Sequence, residues 1–441
     1  MASWMGWGIA RVSLIAICVK HAIPQGQISK RSLQYMISRA CLKVGIYFSH
    51  FECFGHTSRV MAVGEVFKTR FPQGDLFFIH AGVQQRKAKI DLVGRGYPLP
   101  GTFMARRYFR EPNPGGGIDA AARAQMCVDI LTRERPDLFI TELFPIGREE
   151  CRHELIPSLV KASAQGSTLW GVAGYPLLVG TNYAWREKIL KLYAQIIIFS
   201  PHLEKKFIAG SFPRKEDRQR YLEFFERNAS KISFAGYLLP RQEVVYDDED
   251  ENLPKPPVPK GACRVAVVRG GGAVYPKVIA EAIRASDLLG KEYYLTVIAG
   301  PSTTLQERDF FAALVGKKKV NNLVLLRSLG DYEGLIADSD VCVSMAAYHT
   351  SVMLMKHRKK AVVIPFEGYG KISFFEQPAR AGMLRETIGA RILSIKDLTA
   401  KSLSVAIREA SGRKAVIPEI PQEWFAGGDV LDKALTGLFS R

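Results

Sequence analysis

Residues 344–366, SMAAYHTSVMLMKHRKKAVVIPF, carry the pattern that decides the fold. Small residues lead into a short apolar and basic segment, which is followed by a Val/Ile run that ends in proline. This order predicts the end of a strand, a tight turn, a short helix and a buried strand. In open α/β sheets, ligands bind where such strands end. The turn that contains Tyr348, His349 and Thr350 is therefore a candidate ligand loop.

The same alternation extends along the chain on both sides of this stretch. Buried strands are predicted around it at RVAVV, YYLTVIAG, NLVLL, DVCVS, AVVIPF and ARILSI, with helix-length segments between them. Further upstream, VGIYF, DLFFIH, DLFIT, QIIIF and ISFAG repeat the pattern. Strands that alternate with helices indicate βαβ units and parallel sheets. The sequence thus predicts an α/β fold with two doubly wound, Rossmann-like domains.

An acidic, proline-rich segment separates the two series of strands. Residues 246–261, YDDEDENLPKPPVPKG, combine an acidic run with four prolines, a composition that resists packing and spaces domains apart. We predict an N-terminal domain over residues 41–245, a linker over residues 246–261 and a C-terminal domain over residues 262–425. Residues 426–441 are expected to form a helix that packs back toward the N-terminal domain.

Composition limits the classes of function. The chain has 441 residues, 47% hydrophobic and 24% charged, as expected for a folded protein of more than one domain. Its seven scattered cysteines have no C-x-x-C spacing, which favours neither a zinc site nor a disulfide framework and fits a cytoplasmic location. The formal net charge of +18 indicates anionic partners, namely nucleic acid, an anionic membrane face or a phosphorylated substrate.

Residues 1–40 are set apart as an N-terminal extension. Their apolar segment, WMGWGIARVSLIAICV, is interrupted by Arg11, its uninterrupted part is shorter than a bilayer span, and no charged region precedes it. These features argue against a signal peptide. Two interpretations stay open: translation that begins at Met36, just before the first predicted strand, or an interfacial anchor.

A glycine-histidine pair follows the first predicted strand. In SHFECFGHTSRVMAV the strand leads to Gly55 and His56, and Thr57 or Ser58 can cap a helix whose free N–H groups face an anion. A phosphate or a reacting hydroxyl would then lie beside His56. The alternative is an ordinary turn between strand and helix with a surface histidine.

A glycine triplet follows the first strand of the C-terminal series. In VVRGGGAVYP, Gly270, Gly271 and Gly272 precede a helix that starts near Pro276, and their missing side chains let backbone approach a diphosphate. A tight turn without a ligand would use the same glycines.

A carboxylate ends another predicted strand. In RPDLFITELFPIGREECRHELIPSL, Glu142 closes the strand ahead of a Pro/Gly loop and a helix, so that it faces the cleft and is available for acid–base chemistry. The alternative is a helix-capping or salt-bridged carboxylate. His153 and Glu154, farther along, are predicted to lie on a helix surface.

Three stretches together resemble a known family. RPDLFITELFPIGREECRHELIPSL, GHTSR and YHTSVMLMKHRKKAVVIPFEGYGKISFFEQPARAGML are similar to predicted glycosyltransferases of the MurG-like, family 28-related group. The similarity runs in matching order over about residues 43–425. It implies a GT-B fold, in which two Rossmann-like domains face each other across a cleft. It also implies that the C-terminal domain holds a nucleotide-sugar donor and the N-terminal domain an acceptor, with inversion at the sugar and without a metal or another cofactor.

The resemblance assigns roles to individual residues. Gly55 and His56 fall in the family's N-terminal glycine loop, so His56 is the leading candidate for the general base. Glu142 is the second catalytic candidate. On the donor side, Leu329 lies in the segment whose backbone reads the base, and Glu376 and Gln377 match residues that bind sugar hydroxyls. The remaining donor-binding candidates belong to the two C-terminal loops that match phosphate-binding segments: Arg269, Gly270, Gly271, Gly272, Ser344, Tyr348, His349 and Thr350.

One departure from the family pattern concerns the donor ribose. Relatives read G-G-Y-N-T-x-x-E here, whereas this chain has Ala346, Ala347 and His349 and ends the pattern with Met353. Methionine cannot accept hydrogen bonds from a diol as a carboxylate does. Three functions therefore stay open: a glycosyltransferase, with GlcNAc among its donor sugars; a catalytically silent sugar-nucleotide-binding or scaffold protein; and an enzyme like the UDP-sugar 2-epimerases, which share the fold.

Basic and aromatic residues crowd residues 84–110, QQRKAKIDLVGRGYPLPGTFMARRYFR. A MurG-like enzyme approaches the anionic inner face of the membrane to reach a lipid-linked acceptor, so the resemblance predicts a membrane-facing lip and a peripheral location there. A solvated loop is the alternative. Nucleic acid is a weaker expectation, because no RNP-type motif, zinc module or basic zipper accompanies the charge.

Overall fold

The structure is a computed structural model that describes residues 42–49, 54–81, 93–100, 120–176, 178, 183–240, 258–270, 275–301, 303–318, 321–369, 372–373, 376–413 and 418–439. The predictions for residues 1–40, for most of the linker, for Gly271 and Gly272 and for most of residues 84–110 lie outside these ranges.

Seven parallel strands form the sheet of the N-terminal domain within the described ranges, in the order β3-β2-β1-β4-β5-β6-β7. The strands are Lys43–Ser49 (β1), Asp75–Ala81 (β2), Arg95–Leu99 (β3), Leu138–Glu142 (β4), Thr168–Ala173 (β5), Gln195–Ile198 (β6) and Ile232–Phe234 (β7). The helices of this domain are Phe54–Arg70 (α1), Ala120–Glu134 (α2), Arg152–Ala164 (α3), Ala184–Leu190 (α4), Glu204–Gly210 (α5) and Lys215–Arg227 (α6).

The second sheet has six parallel strands in the described part of the chain, in the order β10-β9-β8-β11-β12-β15. Its strands are Cys263–Val268 (β8), Tyr293–Ile298 (β9), Leu323–Leu326 (β10), Val341–Ser344 (β11), Lys360–Val363 (β12) and Arg391–Ile392 (β15). A separate antiparallel pair consists of Gly368–Tyr369 (β13) and Ile372–Ser373 (β14). The helices are Pro276–Leu289 (α7), Leu305–Gly316 (α8), Tyr332–Asp338 (α9), Tyr348–Lys356 (α10), Glu376–Ile388 (α11), Ala400–Gly412 (α12) and Gly427–Phe439 (α13). The prediction of two Rossmann-like domains is confirmed.

Continuous apolar runs explain why both sheets are parallel. Every residue of β4 and of β11 is buried, as expected for strands that helices cover on both faces. In an open sheet the strand order reverses once, and here it reverses between β1 and β4 in the N-terminal domain. The carboxyl ends of these two strands therefore border the crevice where ligands bind in such folds.

The chain returns to the N-terminal domain at its end. α13 packs against α1, where the rings of Phe71 and Phe439 lie 5.6 Å apart. Just before α13, the backbone oxygen of Trp424 accepts a hydrogen bond from the N–H of Tyr237 at 2.5 Å. The helix α13 thus contacts the N-terminal domain.

Two local predictions were wrong. α1 begins at Phe54, so Thr57 and Ser58 lie inside the helix rather than at its cap, and His56 occupies its first turn. Glu154 is buried rather than on a helix surface, and its carboxylate accepts hydrogen bonds from Arg123 and Tyr47. Among the described residues, no helix combines the length and the apolar character that crossing a membrane requires.

Candidate functional site

His56 and Glu142 meet at the carboxyl edge of the N-terminal sheet. The first turn of α1 carries His56, and β4 ends with Glu142, so the two strands at the order reversal deliver both side chains to one place. The Nδ1 atom of His56 lies 2.9 Å from one carboxylate oxygen of Glu142 and 3.1 Å from the other. Both residues are buried. The pair has the arrangement of a histidine base with an orienting carboxylate.

Arg59 contacts the same carboxylate oxygen of Glu142 that lies nearest His56. It lies one turn after His56 on α1 and donates a hydrogen bond to Glu142. Its guanidinium is 1% exposed and lies over the ring of Tyr348, 4.6 Å from the ring centre, in the C-terminal domain. Gly174 leaves the room for it, since a Cβ at that position would lie 2.1 Å from the guanidinium. Arg59 therefore joins the pair of His56 and Glu142 to the other domain.

Arg148 contacts the second nitrogen of the histidine ring. It follows β4 in the turn before α3, and its guanidinium lies 2.8 Å from Nε2 of His56. A guanidinium can only donate hydrogen bonds, so Nε2 accepts and Nδ1 carries the proton that Glu142 receives. The contact assigns His56 to the neutral tautomer with its proton on Nδ1.

The charges of this cluster shift its pKa values. Burial lowers the pKa of His56 below its ordinary value; Glu142 opposes this effect, and Arg148 and Arg59 add to it. Burial acts to raise the pKa of Glu142, but His56, Arg59 and Arg148 outweigh it and bring that pKa below its usual range. At neutral pH the pair is a neutral imidazole beside an ionised carboxylate.

Tyr348 reaches from the C-terminal domain into the N-terminal domain. It begins α10, and its hydroxyl donates to the backbone oxygen of Phe199 at 2.7 Å and accepts from the N–H of Leu238 at 3.1 Å. Nearby, Nε of Arg380 lies 3.0 Å from a carboxylate oxygen of Glu204, and this buried ion pair also joins the domains. The candidate site is therefore enclosed from both sides.

The other donor-side candidates lie at the carboxyl edge of the second sheet. Arg269 donates to Thr303 at 3.1 Å and forms an ion pair with Glu307. The remaining contacts lie within the C-terminal domain. Thr350 and Tyr332 share a hydrogen bond of 2.8 Å, Gln377 accepts from the N–H of Phe366 at 2.8 Å, Glu376 accepts from Arg380 at 2.9 Å, and Leu329 is buried in the core.

Among the donor-side candidates, Ser344 and His349 carry buried polar atoms that lack a hydrogen-bond partner within the described residues. They are Oγ of Ser344, at the end of β11, and Nε2 of His349, in the first turn of α10. Gly270, just after β8, has a φ of 81°, a conformation that favours glycine. These groups lie where two strands end and a helix begins, which is the arrangement that suits an anion.

The structure thus brings His56, Glu142 and Tyr348 into one cluster, and Gly55 lies beside His56 in α1. Thr350 and Gln377 form hydrogen bonds within the C-terminal domain, with Tyr332 and Phe366. Sequence reasoning missed Arg59 and Arg148, which complete it. A signal for Arg59 was available, because a residue three positions after His56 shares its helix face.

No group of three His, Cys, Asp or Glu side chains suited to a metal ion occurs in the described ranges.

Comparisons with known proteins agree with this architecture. No protein-family model and no curated protein matches the sequence. Among solved structures, MurG of Acinetobacter baumannii has a TM-score of 0.52 at 11% identity, over 90% of this chain and 99% of that chain. CalG4, the calicheamicin glycosyltransferase, has a TM-score of 0.57 at 12% identity, over 90% and 98%. A protein of Listeria monocytogenes described as a UDP-N-acetylglucosamine 2-epimerase has a TM-score of 0.54 at 11% identity, over 91% and 97%. At such identities the likeness establishes the fold: the chain has the GT-B fold of MurG and of CalG4.

Proposed function

We propose that the protein is an inverting glycosyltransferase that moves a sugar from a nucleotide-diphospho-sugar to an acceptor hydroxyl. The observation that carries the proposal is the buried pair of His56 and Glu142, which Arg59 links to Tyr348 in the opposite domain. An acid–base pair at the cleft edge of one domain, facing a candidate phosphate loop of the other, is the arrangement that sugar transfer between two domains requires.

In this proposal His56 is the general base. Its Nδ1–H donates to Glu142, so the basic atom is Nε2. The acceptor hydroxyl gives its proton to Nε2 while its oxygen forms a bond to the anomeric carbon, and the bond between that carbon and the diphosphate breaks. The diphosphate leaves with the bonding electrons, and Glu142 stabilises the imidazolium that forms.

The C-terminal domain would bind the donor. The free N–H groups at the start of α10 favour the negative charge that develops on the departing diphosphate. Gly270 lies near that helix start, because a Cβ at its position would be 3.6 Å from Cβ of Ala347, and Ser344 ends the strand that leads to the helix. We propose that Arg269, Gly271, Gly272, His349 and Thr350 complete the phosphate side, that Leu329 lies near the base, and that Glu376 and Gln377 bind the sugar. The expectation that no metal takes part belongs to this proposal.

A donor screen tests the proposal. Thermal shift with UDP-, GDP-, TDP- and CMP-sugars identifies the donor class, because a ligand at 100 times its dissociation constant stabilises by about 2.7 kcal/mol. Transfer is then measured to a lipid-linked acceptor in anionic and in neutral vesicles, since the net charge of +18 favours an acceptor at an anionic surface.

The variant His56→Ala should keep donor binding and lose about 10²-fold or more in turnover, because it removes the base and not the donor site. The control is His153→Ala, which changes an exposed histidine on α3. If no nucleotide-sugar shifts the melting temperature, the result favours the alternative of a catalytically silent protein. If both variants retain turnover, His56 is not the base.

A 2-epimerase is the second candidate, favoured by the similarity to the Listeria monocytogenes protein. Such an enzyme needs no acceptor. Incubation with UDP-GlcNAc alone separates the two functions, because epimerisation changes the sugar signals in the NMR spectrum and a transferase leaves them unchanged.

A further inference from the structure

Arg148 hydrogen-bonds to Nε2 of His56, the atom that accepts the proton in the proposed mechanism. Its guanidinium lies 2.8 Å from Nε2 of His56, whose lone pair must be available if it is to take the acceptor proton. A guanidinium does not give up its proton in proteins, so it cannot relay that proton. While this contact persists, His56 cannot act as a base. The observed arrangement is a resting state of the site.

The backbone at Arg148 has an uncommon conformation. The residue has φ 53° and ψ 42°, the left-handed conformation that a non-glycine residue adopts at some cost. It ends the turn that follows β4 and precedes the short helix Glu149–Cys151. Backbone conformations of this kind persist only where surrounding structure imposes them, and they cluster at functional sites.

Two further contacts of this guanidinium are long. The backbone oxygen of Ser49 and a carboxylate oxygen of Glu150 each lie 3.3 Å away, and the side chain of Glu150 is 32% exposed. A phosphate group accepts shorter and stronger hydrogen bonds from a guanidinium than either of these, and two of its oxygens can accept at once. A phosphate that enters beside His56 therefore competes well for Arg148.

We propose that Arg148 is a gate on His56 which an anionic substrate group opens. A phosphate or diphosphate oxygen of the substrate binds the guanidinium, and Nε2 of His56 becomes free to accept the proton of the attacking hydroxyl. The inference rests on the proposed function, because it concerns the base of that reaction. Arg148 is a positioning residue for the base and a contact for the phosphate.

The gate also changes the strength of the base. Three charged groups face His56: Glu142 from β4, Arg59 from α1 and Arg148 from the turn. Arg148 favours the neutral imidazole through both its charge and its donated hydrogen bond, whereas Glu142 favours the imidazolium. Removal of Arg148 leaves Glu142 opposed by burial and by Arg59, with one cation fewer, so His56 binds a proton more readily. The base is thereby activated only when the phosphate is in place.

The test is an NMR titration of His56 in the full chain with labelled histidine, its signals assigned by their absence in His56→Gln. Inorganic pyrophosphate is the probe, at constant ionic strength. In the wild type, pyrophosphate should move the Nε2 signal and raise the pKa of His56 by about one unit or more. Arg148→Met should show the raised pKa without pyrophosphate and should respond little to it. Arg152→Met, which changes an exposed arginine four residues away, should behave as the wild type.

Two results would overturn the gate. One is an unchanged pKa of His56 in Arg148→Met, and the other is an Nε2 signal that pyrophosphate does not move in the wild type. The second measurement needs no variant, so it decides even if Arg148→Met does not fold. The titration also needs no turnover. A response to pyrophosphate without sugar transfer would refute the transferase and keep the gate, whereas transfer without that response would refute the gate alone.

Discussion

A single buried side chain, Arg59, connects chemistry in one domain to a loop in the other. Removing a guanidinium from water is costly, and it is offset only if the group finds a charge partner and good packing. Glu142 supplies the charge, and the ring of Tyr348 supplies a face 4.6 Å from the guanidinium carbon. The arginine therefore depends on both domains, so the orientation of Glu142, and through it of His56, depends on where Tyr348 lies.

Met353 gives a prediction at the same scale. It takes the place of the ribose-binding acid of the family pattern, but its side chain is 5% exposed and belongs to a hydrophobic core. Met353→Glu should therefore lower the free energy of unfolding by about 3 kcal/mol, because it buries a carboxylate without a partner. Met353→Leu, which keeps volume and polarity, should cost less than about 1.5 kcal/mol.

Urea unfolding of both variants measures this difference. If Met353→Glu were as stable as the wild type and bound a UDP-sugar more tightly, position 353 would face the ligand, and the ribose would be bound there after all.

At the scale of elements, the sequence predicts those strands and helices that a local apolar pattern encodes. Apolar runs such as DLFFIH and DLFIT lie in β2 and β4, and their alternation with helices gave the two sheets. β3, with the sequence RGYPL, has no such run, and pairing with β2 explains why it is a strand. The contact between His56 and Glu142 spans 86 positions, and that between His56 and Arg148 spans 92. The sequence could nominate the first two residues as strand-end candidates, but only the folded sheet shows that Arg148 lies beside them.

The chain just after β7 passes close to the segment that precedes α13, and this approach gives a prediction for Gly236. Gly236 has a φ of 76°, and a Cβ there would lie 2.4 Å from the backbone oxygen of Glu423 and 2.9 Å from that of Trp424. Gly236→Ala should cost about 2 kcal/mol or more, because both the conformation and the space exclude a side chain. In Gly428→Ala the nearest contact of the new Cβ is 3.8 Å, and alanine favours a helix, so this control should be neutral or slightly stabilising.

Thermal unfolding compares the two glycine variants. Equal melting temperatures would mean that the chain does not pass Gly236 as closely as the structure shows, and the return of α13 to the N-terminal domain would then be in question.

At the scale of the whole molecule, the two domains are held by buried polar contacts as well as by apolar packing. Tyr348 hydrogen-bonds to the backbone of Phe199 and Leu238, and Arg380 forms an ion pair with Glu204. The hydroxyl in the first contact and the two charges in the second are therefore buried away from water. Such contacts are directional, and a small rotation of one domain would break them at a large cost. The packing of the cleft and the protonation of its groups should therefore be coupled.

This coupling predicts how stability depends on pH. Burial lowers the pKa of His349 to about 3, with the charge of Arg59 as a second cause, and burial lowers the pKa of His56 as well. Both histidines are neutral in the folded protein, whereas in the unfolded chain they take up protons below about pH 6.5. Their contribution to stability is thus complete above that pH and is lost progressively as the pH falls toward the folded pKa values, by about 1.4 kcal/mol per pH unit for each histidine.

The variant His349→Gln isolates one of these contributions. Glutamine has no proton to gain, so between pH 7.5 and 5.0 the variant should lose about 2 kcal/mol less stability than the wild type, as measured by urea unfolding with a constant m-value. Other groups leave this difference in stability unchanged, because they are the same in both proteins. Carboxylates with lowered pKa values, such as Glu134 at about 2, change the stability mainly at lower pH, and Glu204, whose pKa burial raises, affects the variant and the wild type alike. His153→Gln, at an exposed position, should follow the wild type. Parallel stability curves for His349→Gln and the wild type would show that the imidazole of His349 takes up a proton in the folded state, which burial of the ring and the charge of Arg59 oppose.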